Sequence, residues 1–87
     1  MNDTKDIIEI EYCVSCDYRA RALWIATELL ASFQFDIEAI VLKGASDGRF
    51  EVGFGKQRLF SKSATGRFPD PDELRLAIFA LIDAKAS

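Results

Sequence analysis

A chain of 87 residues builds one hydrophobic core and has too little left for a second, so a single domain spanning 1–87 is expected. Apolar residues at 49% and charged residues at 29% exclude a disordered tail and fit an ordinary globular fold. The 11 bases are outnumbered by 14 acids, leave a net charge of −3 and are scattered along the chain, which argues against a nucleic-acid partner.

The chain opens on Met1-Asn2-Asp3-Thr4-Lys5-Asp6, polar and acidic, without an apolar stretch of signal-peptide length. No later apolar run approaches the roughly 20 residues that cross a bilayer, so no membrane association and a cytoplasmic location are expected. From Asp6 to Tyr12, Ile8, Ile10 and Tyr12 alternate with Glu9 and Glu11, the pattern of a strand with one wetter face. Cys13-Val14-Ser15-Cys16-Asp17 breaks the alternation, and helix formers without Gly or Pro run from about Ser15 to Phe33. Ala22, Ile25, Ala26, Leu29 and Phe33 share one face of that helix and should lie on a sheet. The segment Asp36–Lys43 ends in an apolar run and reads as a strand buried beside the first, parallel to it because a helix connects them.

Gly44 to Gly48 is a turn-rich connection, and Arg49–Phe54 and Gln57–Lys62 form a hairpin about Gly55-Lys56. A loop from Ser63 to Pro69 follows. Asp70-Pro71-Asp72-Glu73 then supplies an N-cap, a proline at the first helical position and an acid at the third. Leu74, Ala77, Ile78 and Leu81, broadened by Leu76, Phe79 and Ile82, give the last helix its buried stripe, with Ala84 to Ser87 fraying. The order β-α-β-β-β-α predicts a two-layer α/β sandwich with a mixed four-stranded sheet and two helices.

The chemistry-bearing residues are Cys13 and Cys16. A bond between them closes a very short loop and stabilises the fold little, so the spacing suits reactivity better than stapling. A thiolate is the attacking species in disulfide exchange, and a helix beginning near Ser15 or Cys16 would aim its N-terminal N–H groups at Cys13. That makes Cys13 the expected nucleophile and Cys16 the resolving thiol. Two other readings stay open: a zinc site, which without His would need two chains sharing their pairs or carboxylates filling in, and a pair of small buried apolar residues.

Most of the chain resembles the selenoprotein W-like group of the SelT/SelW/SelH (Rdx) family in its cysteine-containing bacterial form. The resemblance rests on Ile10 to Ala20 around Tyr12-Cys13-Val14-Ser15-Cys16, on Gly48-Arg49-Phe50-Glu51-Val52, and on Leu59 to Ser63 followed by Gly66-Arg67-Phe68-Pro69. It implies a thioredoxin-like fold with a redox centre at Cys13 and Cys16. Cys16 stands where selenoprotein members carry selenocysteine, which would make it the attacking group in some reactions and Cys13 the resolver, so both are expected to be redox-active and the order of attack stays open. Glutathione or protein thiols are then the expected exchange partners, with no cofactor and no metal. Tyr12, Ser15, Lys62 and Phe68 are the expected substrate or partner contacts, against the alternative that Lys62 and Phe68 belong to a solvated loop with one tethering aromatic. Trp24 and Leu30 lie off the core stripe, so either they meet a protein partner or second copy, or the domain covers Trp24 with its own loops. A non-enzymatic interaction module with incidental cysteines is the alternative to redox exchange.

Overall fold

Alternation along the first strand divides the sheet into a dry face and a wet one. In the computed structural model, which describes residues 5–86, β1 (Ile7–Cys13) contributes Ile8, Ile10 and Tyr12 to the core between sheet and helices. Glu9 and Glu11 take the opposite face, where Lys43 lies 3.5 Å from each. The chain continues through α1 (Arg19–Phe33), β2 (Ala39–Ala45), β3 (Phe50–Phe54), β4 (Gln57–Ser61), α2 (Lys62–Thr65) and α3 (Pro71–Ala86). The sheet order is β2-β1-β3-β4, with β1 and β2 parallel and the other two pairs antiparallel.

Register explains why the core is continuous. Leu42, Ile10, Val52 and Phe60 lie opposite one another in a row across all four strands. The parallel row Ile40, Ile8 and Phe54 runs beside it. Ala22, Ile25, Leu29 and Phe33 from α1 and Leu74 and Ile78 from α3 close over these rows. Each large side chain so buried contributes roughly 1.5–3 kcal/mol relative to exposure. The two helices also meet directly, with the Phe33 and Phe79 rings 4.9 Å apart and Arg75 3.4 Å from Glu28.

Several expectations are corrected. The helix after the cysteines begins at Arg19, because Val14–Asp17 form a turn with Asp17 at φ 62°, a left-handed conformation that no helix contains. The second strand starts at Ala39, runs through Gly44 and Ala45, and is an edge strand with Val41 and Leu42 partly exposed, where a buried strand was expected. Its apolar run gave no information about strand order. Residues 62–65 form the short helix α2 where a strand end and loop were expected, and α3 stays helical through Ala86 where fraying was expected from Ala84; Ser87 lies outside the described residues. Leu76 and Phe79 are mostly exposed, and Trp24 is not covered by the chain's own loops but remains 48% exposed.

The β3–β4 turn places Gly55 at φ 61°, and a Cβ there would sit 3.1 Å from the Asp6 carboxylate. Gly55→Ala should therefore destabilise the domain by about 1–2 kcal/mol, the cost of a left-handed residue, with the Asp6 contact adding to it. Urea denaturation of both proteins measures this, and an unchanged midpoint would contradict it.

Candidate functional site

The site begins where β1 runs out. Cys13 is its last residue and is fully buried, with its N–H donating to the Arg49 carbonyl at 2.9 Å. The chain then reverses: Val14 N–H donates to the Ala45 carbonyl at 3.1 Å, Asp17 N–H to Val14 at 3.2 Å, and Tyr18 N–H to the Cys13 carbonyl at 3.4 Å. Gly44 makes room for this turn, since a Cβ there would lie 2.9 Å from Val14 Cγ2. Cys13 and Cys16 are joined in a disulfide across the turn, with Cα atoms 5.3 Å apart. Cys16 is an exposed residue and Cys13 a fully buried one, so one bond joins an outer residue to an enclosed one. The Ser15 hydroxyl lies 3.6 Å from Cys13 Sγ, and because a disulfide sulfur carries no hydrogen, Ser15 is the donor.

Beside the turn stands a cluster of rings and cations. The Tyr18 ring packs edge-on to Phe68 at 4.9 Å and lies 6.4 Å from Phe50, while Phe50 and Phe68 are 5.4 Å apart. Arg21 Cζ is 4.2 Å from the Phe68 centroid, and Lys62 Nζ is 5.5 Å from Phe68 and 5.7 Å from Tyr18. Lys62 is positioned by α2, which Ser61 caps by accepting from Ala64 N–H at 3.3 Å. Ser61 also donates to Glu51 at 3.1 Å, and Arg58 lies 3.1 Å from the same carboxylate, so this buried acid is satisfied on both oxygens.

Of the residues singled out from the sequence, Cys13, Ser15 and Cys16 share the turn, and Lys62 and Phe68 come together against Tyr18. Tyr12 is partly buried against the core, in the helix-side row between Gly44 and Phe50, on the strand face opposite Cys13. Sequence reasoning missed Tyr18 as the link between the turn and the Phe68 loop, and Arg21 as a partner of that ring. Their signal was positional, since Tyr18 follows Cys16 by two residues and Arg21 lies one helical turn further. Among the described residues, no group of three or more His, Cys, Asp or Glu side chains is arranged to hold a metal, and no helix is long and apolar enough to cross a membrane.

Comparison with known proteins agrees with this architecture. The Rdx family model matches residues 7–79. A selenoprotein W-related protein from Vibrio cholerae is 33% identical, with a TM-score of 0.87 over 91% of this chain and 99% of that one. A protein from Bordetella parapertussis is 29% identical, with a TM-score of 0.84 over 87% of this chain and 96% of that one. These similarities fit the expected thioredoxin-like α/β fold. The search of curated proteins gave no match.

The Phe68 loop is held by a clamp at the start of α3. Arg67 donates to both Glu73 oxygens at 2.7 and 3.0 Å, and Glu73 also accepts the Asp70 N–H at 2.8 Å, completing the capping arrangement expected from Asp70-Pro71-Asp72-Glu73. The Arg67 guanidinium, and after it the Asp70 N–H, hold the Glu73 carboxyl down at about 2, against an ordinary value of 4.5. A carboxyl depressed in the folded state adds stability that is complete above its unfolded value and is lost as pH falls toward its folded value. The side chain is 37% exposed, so solvent screening keeps the contribution modest. Denaturant midpoints followed from about pH 6 down to about pH 2 should fall less steeply in Glu73→Gln than in the parent, and parallel curves would refute the clamp's role.

Proposed function

The chain belongs to the Rdx family, and from that premise we propose that it is a thiol–disulfide exchange protein whose partners are glutathione or protein thiols. The observation that supports this most is the asymmetry of the Cys13–Cys16 bond, open at Cys16 and enclosed at Cys13. A partner thiolate attacks Cys16 Sγ, forming a mixed disulfide as the Cys13–Cys16 bond breaks. The electron pair leaves on Cys13, where the Ser15 hydroxyl is in place to donate to the new thiolate. A second partner thiolate then attacks the partner's sulfur, releases the partner disulfide and leaves Cys16 as a thiolate, so two electrons have passed to the protein. In the reverse direction Cys16 attacks a partner disulfide and Cys13 resolves the mixed species.

This order replaces the Cys13-first assignment, which depended on a helix starting at Ser15 or Cys16. It agrees instead with the role implied for Cys16 by the family resemblance. The cycle consumes only thiols and disulfides and calls for no cofactor. A cytoplasmic location belongs to the same proposal, because a thiol pool there keeps such a dithiol cycling. Exposure of Trp24 and Leu30 supports a second reading, a non-enzymatic module that docks a protein partner or second copy, with binding indifferent to the cysteines.

Single cysteine variants separate these readings. With Cys16 attacking first, Cys13→Ser should accumulate mixed disulfides with glutathione or extract proteins, and Cys16→Ser should accumulate few. Mass spectrometry of the trapped adducts reads the result. The reverse pattern would overturn the order of attack, and absence of adducts in both variants would overturn the exchange function.

A further inference from the structure

The chain is acidic overall, yet its cations are not distributed evenly between paired and unpaired states. Lys43, Arg58, Arg67, Arg75 and Lys85 each meet a carboxylate, and Lys5 donates to the Phe35 carbonyl. Among the described residues Arg19, Arg21, Arg49, Lys56 and Lys62 form no ion pair with a carboxylate; of these, Arg21 and Lys62 are held over the Phe68 ring, which carries no net charge to cancel them. They reach this ring from α1 and α2, which are far apart in sequence. Lys62 also lies over Tyr18, whose backbone closes the cysteine turn. Asp17, next to Cys16 in that turn, forms no ion pair among the described residues and is the opposing charge that the two cations have to outweigh. Arg49 also abuts Cys13 through its backbone, but it lines a cavity of about 370 Å³ in which Glu11, Asp47 and Glu51 accompany Arg58 and Ser63, so carboxylates share its surroundings.

We propose that Arg21 and Lys62, held over Phe68 and against the Tyr18 that follows Cys16 by two residues, select thiols that carry a carboxylate near the sulfur. This names the substrate class of the exchange site and rests on the exchange reading. The pair raises the local concentration of an anionic thiolate and orients it, while the bond made and the bond broken at Cys16 stay the same. The two cations are specificity-determining residues and do not touch the reacting sulfurs.

The test is reduction of the disulfide by 3-mercaptopropionate, 2-mercaptoethanol and cysteamine, anionic, neutral and cationic respectively beyond the thiol, with rates expressed per thiolate. At low ionic strength the acid should exceed the neutral thiol by roughly threefold or more and cysteamine should lag it by a similar factor, the size expected of one or two charge pairs at several ångströms in water. The spread should collapse in about 1 M salt. It should shrink in Arg21→Gln and Lys62→Gln and survive in Lys62→Arg, all substitutions outside the core. Equal rates for the three thiols, or a spread that Arg21→Gln and Lys62→Gln leave intact, would overturn the selection while leaving exchange standing. A disulfide that none of the three reduces would overturn the exchange reading and this inference with it.

Discussion

Both backbone groups of Cys13 are committed, the N–H to Arg49 at the mouth of β3 and the carbonyl to Tyr18 at the mouth of α1, and the site's geometry depends on that double tether. Strand parity sends Cys13 to the face of Glu9 and Glu11 and sends Tyr12 to the helix side. The turn must then bring the chain back across the sheet's end, and the left-handed Asp17 provides the reversal. Tyr18 thereby returns to the helix layer, where its ring meets Phe50 and Phe68. The exposed position of Cys16 follows, since it sits at the outer part of a loop whose two ends are fixed.

A second group of interactions holds the other wall. Ser61 caps α2 and donates to the buried Glu51, which Arg58 neutralises, so the end of the β3–β4 hairpin and the start of α2 are linked through one hydroxyl. Further along, Arg67 bridges to Glu73 while its guanidinium lies 5.1 Å from the Phe60 ring, tying the Phe68 loop to both α3 and β4. Breaking one partner of the Glu51 set would leave a buried charge uncompensated, a larger loss than removal of an exposed pair such as Lys43 with Glu9.

What the sequence disclosed was what local rules control. Alternation of Ile8, Ile10 and Tyr12 against Glu9 and Glu11 placed the sheet faces correctly, and Asp70-Pro71-Asp72-Glu73 placed the start of α3 because a capping box is built from neighbouring residues. The start of α1 was not legible, since Ser15 to Tyr18 have ordinary helix propensities and only the tether between Tyr18 and Cys13 rules the helix out there. Burial of β2 was misread for a different reason. The run Ile40-Val41-Leu42 is as apolar as a central strand, and its edge position depends on β3 pairing with the other side of β1. The cysteine pair was visible by spacing, but the meeting of Arg21, Lys62 and Phe68 spans segments that no local pattern connects.

Moving the helix start from Ser15 to Arg19 also changes how charge would be handled in the proposed exchange. With the helix adjacent to Cys13, its dipole would be the natural stabiliser of a Cys13 thiolate. With a turn in between, that task passes to the Ser15 hydroxyl, a donor within reach of the sulfur and carried by the same turn. α1 still contributes a favourable field, because its first turn contains no acid and begins with Arg19. In that proposed exchange, negative charge arriving on the partner thiolate outside and departing on Cys13 inside would meet a different polar group at each end. On the proposed reading, recognition of the partner at the outer end falls to the cations held over Phe68, while the inner end has a short hydroxyl carried by the turn. Such a division lets recognition vary with surface residues while the leaving sulfur keeps one environment.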